Sequence, residues 1–180
     1  MENRLRTDSF LRGCASSMRR QKILPLLAPT NQSKNSIVNR SQKNTHNKRT
    51  QWVQQTIFLD ANVLIEIVLD RKQEAVVRKI FQSLVEKPYI SALSAHLVVH
   101  FGRPIVELAV LRQFLADFTI MPLEAADFEW AFSNARNADF EGALQVAVAV
   151  RHGCSRFITL DKALYSSYKD LPILSVELAC

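Results

Sequence analysis

Two aspartates stand where apolar runs of the sequence end. Asp60 follows the uncharged, β-prone residues 56–59, and Asp161 follows residues 156–160. Because strands that are buried on both faces read as continuous apolar runs, both acids are expected at the ends of buried strands. In open parallel sheets the carboxyl ends of the strands line one crevice, which is where ligands bind. The sequence therefore predicts that Asp60 and Asp161 face the same site.

A further pair of acids, Asp139 and Glu141, stands at the start of the longest predicted helix, residues 139–152. The same edge of a parallel sheet usually receives the helix N-termini, so these carboxylates can point at the same crevice. Each acid also has a purely structural interpretation. Asp139 suits an N-cap, Glu141 suits the first turn of a helix dipole, and Asp60 can be a loop or capping aspartate.

Carboxylates that converge on one crevice repel one another, and the repulsion drives one or more of them to protonate. A hard divalent cation removes this cost, and Mg²⁺ or Mn²⁺ prefers oxygen ligands. Such an ion can lower the pKa of a bound water and offset charge on a reacting phosphodiester. The pattern predicts metal-dependent phosphodiester hydrolysis, with Asp60, Asp161 and Asp139 as catalytic and metal-binding candidates. Glu141 is a further candidate ligand or orients the water.

Two neighbouring polar residues have predicted supporting roles. Thr159 lies two residues before Asp161 on the same strand face, so its hydroxyl can orient an acid or a water molecule. Asn62 lies two residues after Asp60 and is predicted to cap the helix that follows.

The elements that must position these residues alternate between strands and helices. Strands are predicted at residues 56–59, 89–91, 118–121, 156–160 and 173–176. Helices are predicted at residues 62–69, 73–85, 95–101, 105–115, 124–136 and 139–152, with one short helix before the last strand. This order predicts an α/β fold with a mostly parallel sheet and helices on both faces.

The charge of the chain is concentrated in its first part. Residues 1–50 hold eleven Lys or Arg and two acids, a net charge of +9, whereas the whole chain is +6, which leaves −3 for residues 51–180. Residues 1–52 are predicted to be a basic, disordered tail, and residues 53–180 the folded domain. The tail has three interpretations: a basic arm that contacts nucleic acid nonspecifically, an organellar presequence, or a start assigned too early.

The cysteine pattern indicates a reducing, cytoplasmic compartment. Cys14, Cys154 and Cys180 are odd in number and form no CxxC pair. The longest apolar stretch, residues 143–150, is far shorter than the roughly 20 residues that span a bilayer. The sequence thus predicts free thiols and no membrane segment.

Three stretches carry a resemblance to the PIN-domain (PilT N-terminal-like) ribonucleases, and to their VapC-like toxins. They are FLDANVL at residues 58–64, DFEGALQ at 139–145 and FITLDK at 157–162, and the resemblance covers residues 56–176. It implies a Rossmann-like three-layer α/β/α sandwich with a Mg²⁺ or Mn²⁺ site. It also implies a hydrolase that cuts single-stranded RNA, frequently the toxin of a toxin–antitoxin pair and frequently a homodimer. The implied partners are RNA, an antitoxin and a second copy of the chain.

The sequence departs from the family pattern at two positions. The family commonly has a glutamate on the helix after the second strand, but residues 94–100 contain no acid. It also commonly has an aspartate where this chain has Gly142, so that Asp139 and Glu141 would have to substitute. These departures favour an alternative, a degenerate PIN-fold module that binds RNA or a protein partner without cutting. A third hypothesis, phosphoryl transfer with Asp60 as nucleophile, lacks the expected second acid of a DxD motif.

Two other groups of residues have open interpretations. His96 and His100 share one helix face and could bind zinc, substitute for the missing glutamate, or pack at the helix surface or a dimer contact. Phe128, Trp130 and Phe132 are interpreted as core or dimer packing rather than as base-stacking residues.

Overall fold

A computed structural model describes residues 56–135 and 139–179, so the predicted tail at residues 1–52 lies outside the described residues. This part of the chain contains five strands and seven helices. The strands are β1 (Ile57–Leu59), β2 (Tyr89–Ser91), β3 (Thr119–Met121), β4 (Arg156–Thr159) and β5 (Ser175–Leu178). The helices are α1 (Ala61–Val68), α2 (Glu74–Ser83), α3 (Ala92–Gly102), α4 (Leu108–Leu115), α5 (Ala125–Asn134), α6 (Phe140–Arg151) and α7 (Lys162–Tyr168).

The five strands form one sheet in the order β3-β2-β1-β4-β5, and all four pairings are parallel. The central strand β1 pairs with β4 through Phe58 and Phe157, and with β2 through Phe58 and Tyr89. Because β1 and β4 are adjacent and parallel, they end side by side at the same edge. The predicted α/β fold with a mostly parallel sheet is confirmed.

Side chains on the two faces of the sheet enter two separate cores. Leu59 and Ile158 belong to a core with α1, α2, α3 and α4. Phe58 and Phe157 belong to a core with α5, α6 and α7, and their rings stack with centroids 5.4 Å apart. Because neighbouring residues of a strand point to opposite faces, the sheet is covered on both sides. The result is the expected three-layer α/β/α sandwich.

Helix boundaries differ from the predicted ones where side chains cap the backbone. Helix α3 begins at Ala92 rather than at residue 95, because the hydroxyl of Ser91 accepts a hydrogen bond from the Ser94 amide at 2.9 Å. Helix α1 begins at Ala61, so Asp60 holds the N-cap position. The prediction that Asn62 caps this helix is therefore wrong, since Asn62 is the second residue inside it.

Cys154 is buried and free among the described residues, and burial raises the pKa of its thiol to about 11. Cys14 and Cys180 lie outside the described residues. A separate observation concerns length: within residues 56–135 and 139–179, each helix is too short or too polar to cross a membrane.

Candidate active site at the carboxyl edge of the sheet

Asp60 leaves the end of β1 as a buried acid, with 2% of its surface exposed. Its Oδ2 accepts a hydrogen bond from the hydroxyl of Thr159 at 2.6 Å. Thr159 is the last residue of β4 and is fully buried. The pairing of β1 with β4 therefore brings together two polar side chains that are 99 residues apart in the sequence.

Asp161 lies between β4 and α7 and holds the N-cap position of α7. Its Oδ1 accepts hydrogen bonds from the amides of Ala163 at 2.7 Å and Leu164 at 3.1 Å. The amide of Asp161 donates to Thr159 Oγ1 at 2.9 Å. The hydroxyl of Thr159 thus joins the two strand-end acids, donating to Asp60 and accepting from the backbone of Asp161.

Asp139 caps α6, and its Oδ1 accepts a hydrogen bond from the amide of Gly142 at 3.1 Å. A Cβ atom on Gly142 would lie 2.4 Å from Asp139 Oδ2 and 2.6 Å from a methyl carbon of Leu164. The Asp139 carboxylate therefore occupies space that a side chain at position 142 would need. Glycine at this position is what admits the carboxylate there.

The charges of Asp139 and Asp161 act on Asp60. Burial raises the pKa of Asp60 to about 7, and the charges of Asp139 and Asp161 also raise it. The Thr159 hydroxyl and the Ala61 amide act in the opposite direction. Asp139 and Asp161 are therefore close enough to act on Asp60, as carboxylates at one crevice should be.

Glu141 contributes less to this arrangement. Its side chain is exposed, and its pKa is raised by partial burial and by the charge of Asp139. It is not among the charges that raise the pKa of Asp60. The structure thus groups Asp60, Asp139 and Asp161 and leaves Glu141 beside Asp139 only.

The donor set fits a hard divalent cation held loosely. In the described ranges, no three His, Cys, Asp or Glu side chains lie close enough together to hold a metal ion without other ligands. The ion pairs seen in the same ranges involve other acids, so no Lys or Arg of these ranges forms an ion pair with the buried Asp60. A cation bound by one or two carboxylates, with water and substrate oxygens completing its shell, is the usual mode for Mg²⁺. Asp60 and Asp161, supported by Asp139, could hold such an ion.

Two buried residues of the site, Gln145 and Ser94, were not anticipated from the sequence. Gln145 is 1% exposed, and its Oε1 accepts hydrogen bonds from the amide of Ala61 at 2.9 Å and the hydroxyl of Ser94 at 2.7 Å. The available signal was a lone glutamine in the otherwise apolar residues 143–150, since a buried amide requires a partner.

The histidine pair lies apart from these acids. The rings of His96 and His100 are 6.0 Å apart, and His100 contacts Phe101 edge to face at 5.0 Å. In the part of the chain that the structure describes, they belong to no metal-binding cluster, so the zinc interpretation has no support.

A cavity of about 190 Å³ lies at the opposite, amino edge of the sheet, between the start of β4 and the segment before β2. Its lining includes Lys87, Tyr89 and Arg156. Arg156 is already engaged there, because its guanidinium donates to Glu177 at 2.6 and 2.7 Å. We do not associate this cavity with the acids, because the aspartates lie at the other ends of the strands.

Fold and site together define an α/β protein with clustered acids at the carboxyl edge of a parallel sheet. The family model of the PIN domain matches residues 57–169, more than half of the chain. The chain therefore belongs to the PIN domain family. No curated protein sequence matches it.

Solved structures with the same fold come from bacterial complexes. A chain of DNA-bound VapBC from Salmonella typhimurium has a TM-score of 0.53 and 13% identity, covering 71% of this chain and 100% of that chain. A chain of VapBC2 from Rickettsia felis, bound to a promoter DNA fragment, has a TM-score of 0.52 and 13% identity, covering 69% and 99%. A chain of a toxin–antitoxin complex from Klebsiella pneumoniae has a TM-score of 0.50 and 16% identity, covering 66% and 95%. At these identities the likeness establishes the fold.

Proposed function

We propose that the chain is a metal-dependent endoribonuclease that hydrolyses phosphodiester bonds in single-stranded RNA. The observation that carries the proposal is the buried Asp60, whose pKa is raised to about 7 by burial and to a lesser degree by Asp139 and Asp161. An acid with this pKa is expensive to keep charged in the fold unless a cation is present. Mg²⁺ or Mn²⁺ is the cation that an all-oxygen donor set favours.

Each acid has a distinct role in this proposal. A bound divalent ion would supply an activated water and charge stabilisation for the phosphodiester. Asp60 and Asp161 are the proposed ligands, and Thr159 holds the first in place while fixing the backbone of the second. Asp139, which lies over Gly142, completes the ligand shell or orients the water. Glu141 is a weaker candidate for the same roles.

The proposed partners follow the family and its structural neighbours. The neighbours named above come from VapBC and other toxin–antitoxin complexes, which favours a toxin role with an antitoxin partner for this chain. A homodimer is also proposed. Phe132 on α5 is 71% exposed and Phe128 38% exposed, so these rings are available for a contact with another chain. The cytoplasm is the proposed location.

One observation favours a second candidate, a PIN-fold module that binds RNA or a protein without cutting. The described acids form no compact group of three ligands, and position 142 carries no carboxylate of its own. A module of this kind has no need for tight Mn²⁺ binding. Metal affinity therefore separates the two candidates.

The test is cleavage of end-labelled single-stranded RNA by the full chain with Mg²⁺, Mn²⁺ or EDTA. Asp60→Asn and Asp161→Asn should each lower the rate by about 100-fold or more, since each removes a preorganised charge from the reacting centre. Asp117→Asn is the matched control, because Asp117 is an exposed aspartate before β3, at the amino edge of the sheet. Absence of metal-dependent cutting, together with weak Mn²⁺ binding in wild type and variants alike, would favour the binding module.

A further inference from the structure

The buried polar side chains of the described residues are concentrated beneath the site. Seven such side chains are buried, and five of them lie around the start of α1. These five are Asp60, Thr159, Gln145, Ser94 and Ser91. They come from the ends of three strands and from two helices, α3 and α6. Because apolar side chains would be cheaper to bury, this concentration calls for a specific role.

Hydrogen bonds fix the orientation of this group. The amide of Ala61 can only donate, so the atom of Gln145 that faces it at 2.9 Å must be the carbonyl oxygen. The hydroxyl of Ser94 donates to the same oxygen at 2.7 Å. Its single proton is then used, so in the 2.9 Å contact between the two hydroxyls Ser91 is the donor. Gln145 is therefore held in one orientation from two sides.

Asp60 differs from the other two aspartates in how it meets its helix. The side chains of Asp139 and Asp161 accept amides of the helices that they cap. Asp60 occupies the N-cap position of α1, but its side chain makes no capping hydrogen bond. The first amide of α1, that of Ala61, donates to Gln145 at 2.9 Å, although it also lies near enough to the Asp60 carboxylate to lower its pKa. The hydrogen bond that holds the Asp60 carboxylate is the one from the Thr159 hydroxyl.

We infer that Gln145 is a positioning residue for Asp60: it satisfies the first amide of α1 and thereby keeps the Asp60 carboxylate on Thr159, at the face shared with Asp139 and Asp161. This inference rests on the proposed function for its effect on metal binding, but not for its effect on Asp60 itself. Without the acceptor at position 145, the Ala61 amide loses its partner and competes with Thr159 for the neighbouring Asp60 carboxylate. The metal site would then lose its central ligand.

The experiment compares the full chain with Gln145→Met and Gln145→Asn. Methionine keeps the length of the side chain without the acceptor oxygen, and asparagine keeps the amide but is too short by one methylene. Val146→Ala is the matched control, because Val146 is the next residue of α6 and is fully buried but takes no part in the network. Crystal structures, Mn²⁺ titration calorimetry, and kcat and KM for RNA are measured on each.

We expect both Gln145 variants to turn the Asp60 carboxylate away from Thr159. Their Mn²⁺ affinity should fall 10- to 100-fold, the usual effect of losing a group that orients a ligand. The value of kcat should fall while KM for RNA stays within twofold. Val146→Ala should lower the melting temperature and leave Mn²⁺ affinity unchanged, which separates positioning from general destabilisation.

Each other outcome overturns the inference or the proposed function separately. An Asp60–Thr159 hydrogen bond that survives in the variants, or an equal loss of Mn²⁺ affinity in Val146→Ala, overturns the positioning role. If the wild type neither binds Mn²⁺ nor cuts RNA, the proposed function fails. The crystal structures then still decide the inference, because a displaced carboxylate supports it and an unmoved one overturns it. Either Gln145 variant is sufficient if the other does not fold.

Discussion

The hydroxyl of Thr159 donates to Asp60 Oδ2 at 2.6 Å, and this contact joins the ends of the two central strands. The same oxygen accepts the amide of Asp161 at 2.9 Å. One buried hydroxyl therefore connects the two residues that we propose as metal ligands. The contact depends on the register of β1 against β4, in which Leu59 lies opposite Ile158.

Replacing Thr159 with valine should weaken both the fold and the site. Valine has the same shape but leaves the Asp60 carboxylate without its donor and the Asp161 amide without its acceptor. We expect the free energy of unfolding at pH 8 to fall by about 1–3 kcal/mol, and Mn²⁺ to bind more weakly. Urea denaturation and calorimetry measure the two effects. Thr159→Ser is the control, since it keeps the hydroxyl, and equal behaviour of the two variants would contradict the assigned role.

Replacing Gly142 with alanine should displace the Asp139 carboxylate. Glycine to alanine inside a helix normally stabilises by about 1 kcal/mol. Here the new Cβ would meet Asp139 Oδ2 at 2.4 Å, so we expect a net loss of stability of about 1 kcal/mol as the cap breaks, together with weaker Mn²⁺ binding.

The comparison variant for Gly142→Ala is Asp139→Asn, which keeps a capping side chain and removes its charge. It should preserve the melting temperature within a few degrees and still weaken Mn²⁺ binding. A Gly142→Ala protein that is more stable than wild type, with unchanged Mn²⁺ affinity, would show that the new Cβ does not displace the Asp139 carboxylate. Unchanged Mn²⁺ affinity in Asp139→Asn would show that Asp139 has no role beyond capping.

Stability should depend on pH through Asp60. Burial is the main reason that its folded pKa is about 7, well above its ordinary value of 3.8. Between these values the folded state binds more protons than the unfolded state. The contribution of the protonated Asp60 to stability therefore falls as pH rises from about 4 to 7, and it is gone above the folded pKa. The full shift corresponds to at most about 4 kcal/mol, on the order of 1.4 kcal/mol per pKa unit.

The measurement is chemical denaturation in EDTA at pH 5 and pH 8, for wild type and Asp60→Asn. Wild type should lose more stability than Asp60→Asn between the two pH values, because asparagine does not titrate. Added Mn²⁺ in place of EDTA should restore the stability of the wild type at pH 8. Identical pH dependence of the two proteins would exclude the raised pKa.

Arg151 should stabilise the helical layer without affecting the site. Its guanidinium donates to both oxygens of the buried Asp127 at 2.7 and 3.0 Å, to Glu124 at 2.8 Å and to the carbonyl of Pro122 at 2.7 Å. Arg151→Ala leaves the Asp127 carboxylate without its ion pair. We expect a loss of about 2–3 kcal/mol, between the values for surface and buried pairs.

The control for Arg151→Ala is Arg78→Ala, which breaks the more exposed pair with Glu74 within α2 and should cost less than about 1 kcal/mol. Mn²⁺ affinity should be unchanged in both variants, since Arg151 and Asp139 lie at opposite ends of α6, about 18 Å apart at 1.5 Å per residue. A fall in Mn²⁺ affinity in Arg151→Ala would mean that the network reaches the site.

Local sequence was sufficient for the succession of strands and helices along the chain and for the two strand-end acids. Apolar runs bounded by acids, with helical periodicity between them, determine where Asp60 and Asp161 stand, because both patterns reflect burial within a few residues. Helix starts were less predictable. Ser91 and Asp60 hold the N-cap positions of α3 and α1, which moves both helices toward the N-terminus relative to the expected starts.

Tertiary structure alone decided how the acids are held. Gln145 reaches the Ala61 amide across 84 residues of sequence, and Thr159 reaches Asp60 across 99. Neither contact is encoded in a local pattern, since each depends on which strands are adjacent and on their register. Leu164 of α7 also packs against Gly142, so a distant segment helps to fill the space around this position. The sequence by itself determined which chemical groups lie at this edge, and packing of distant segments determined their geometry.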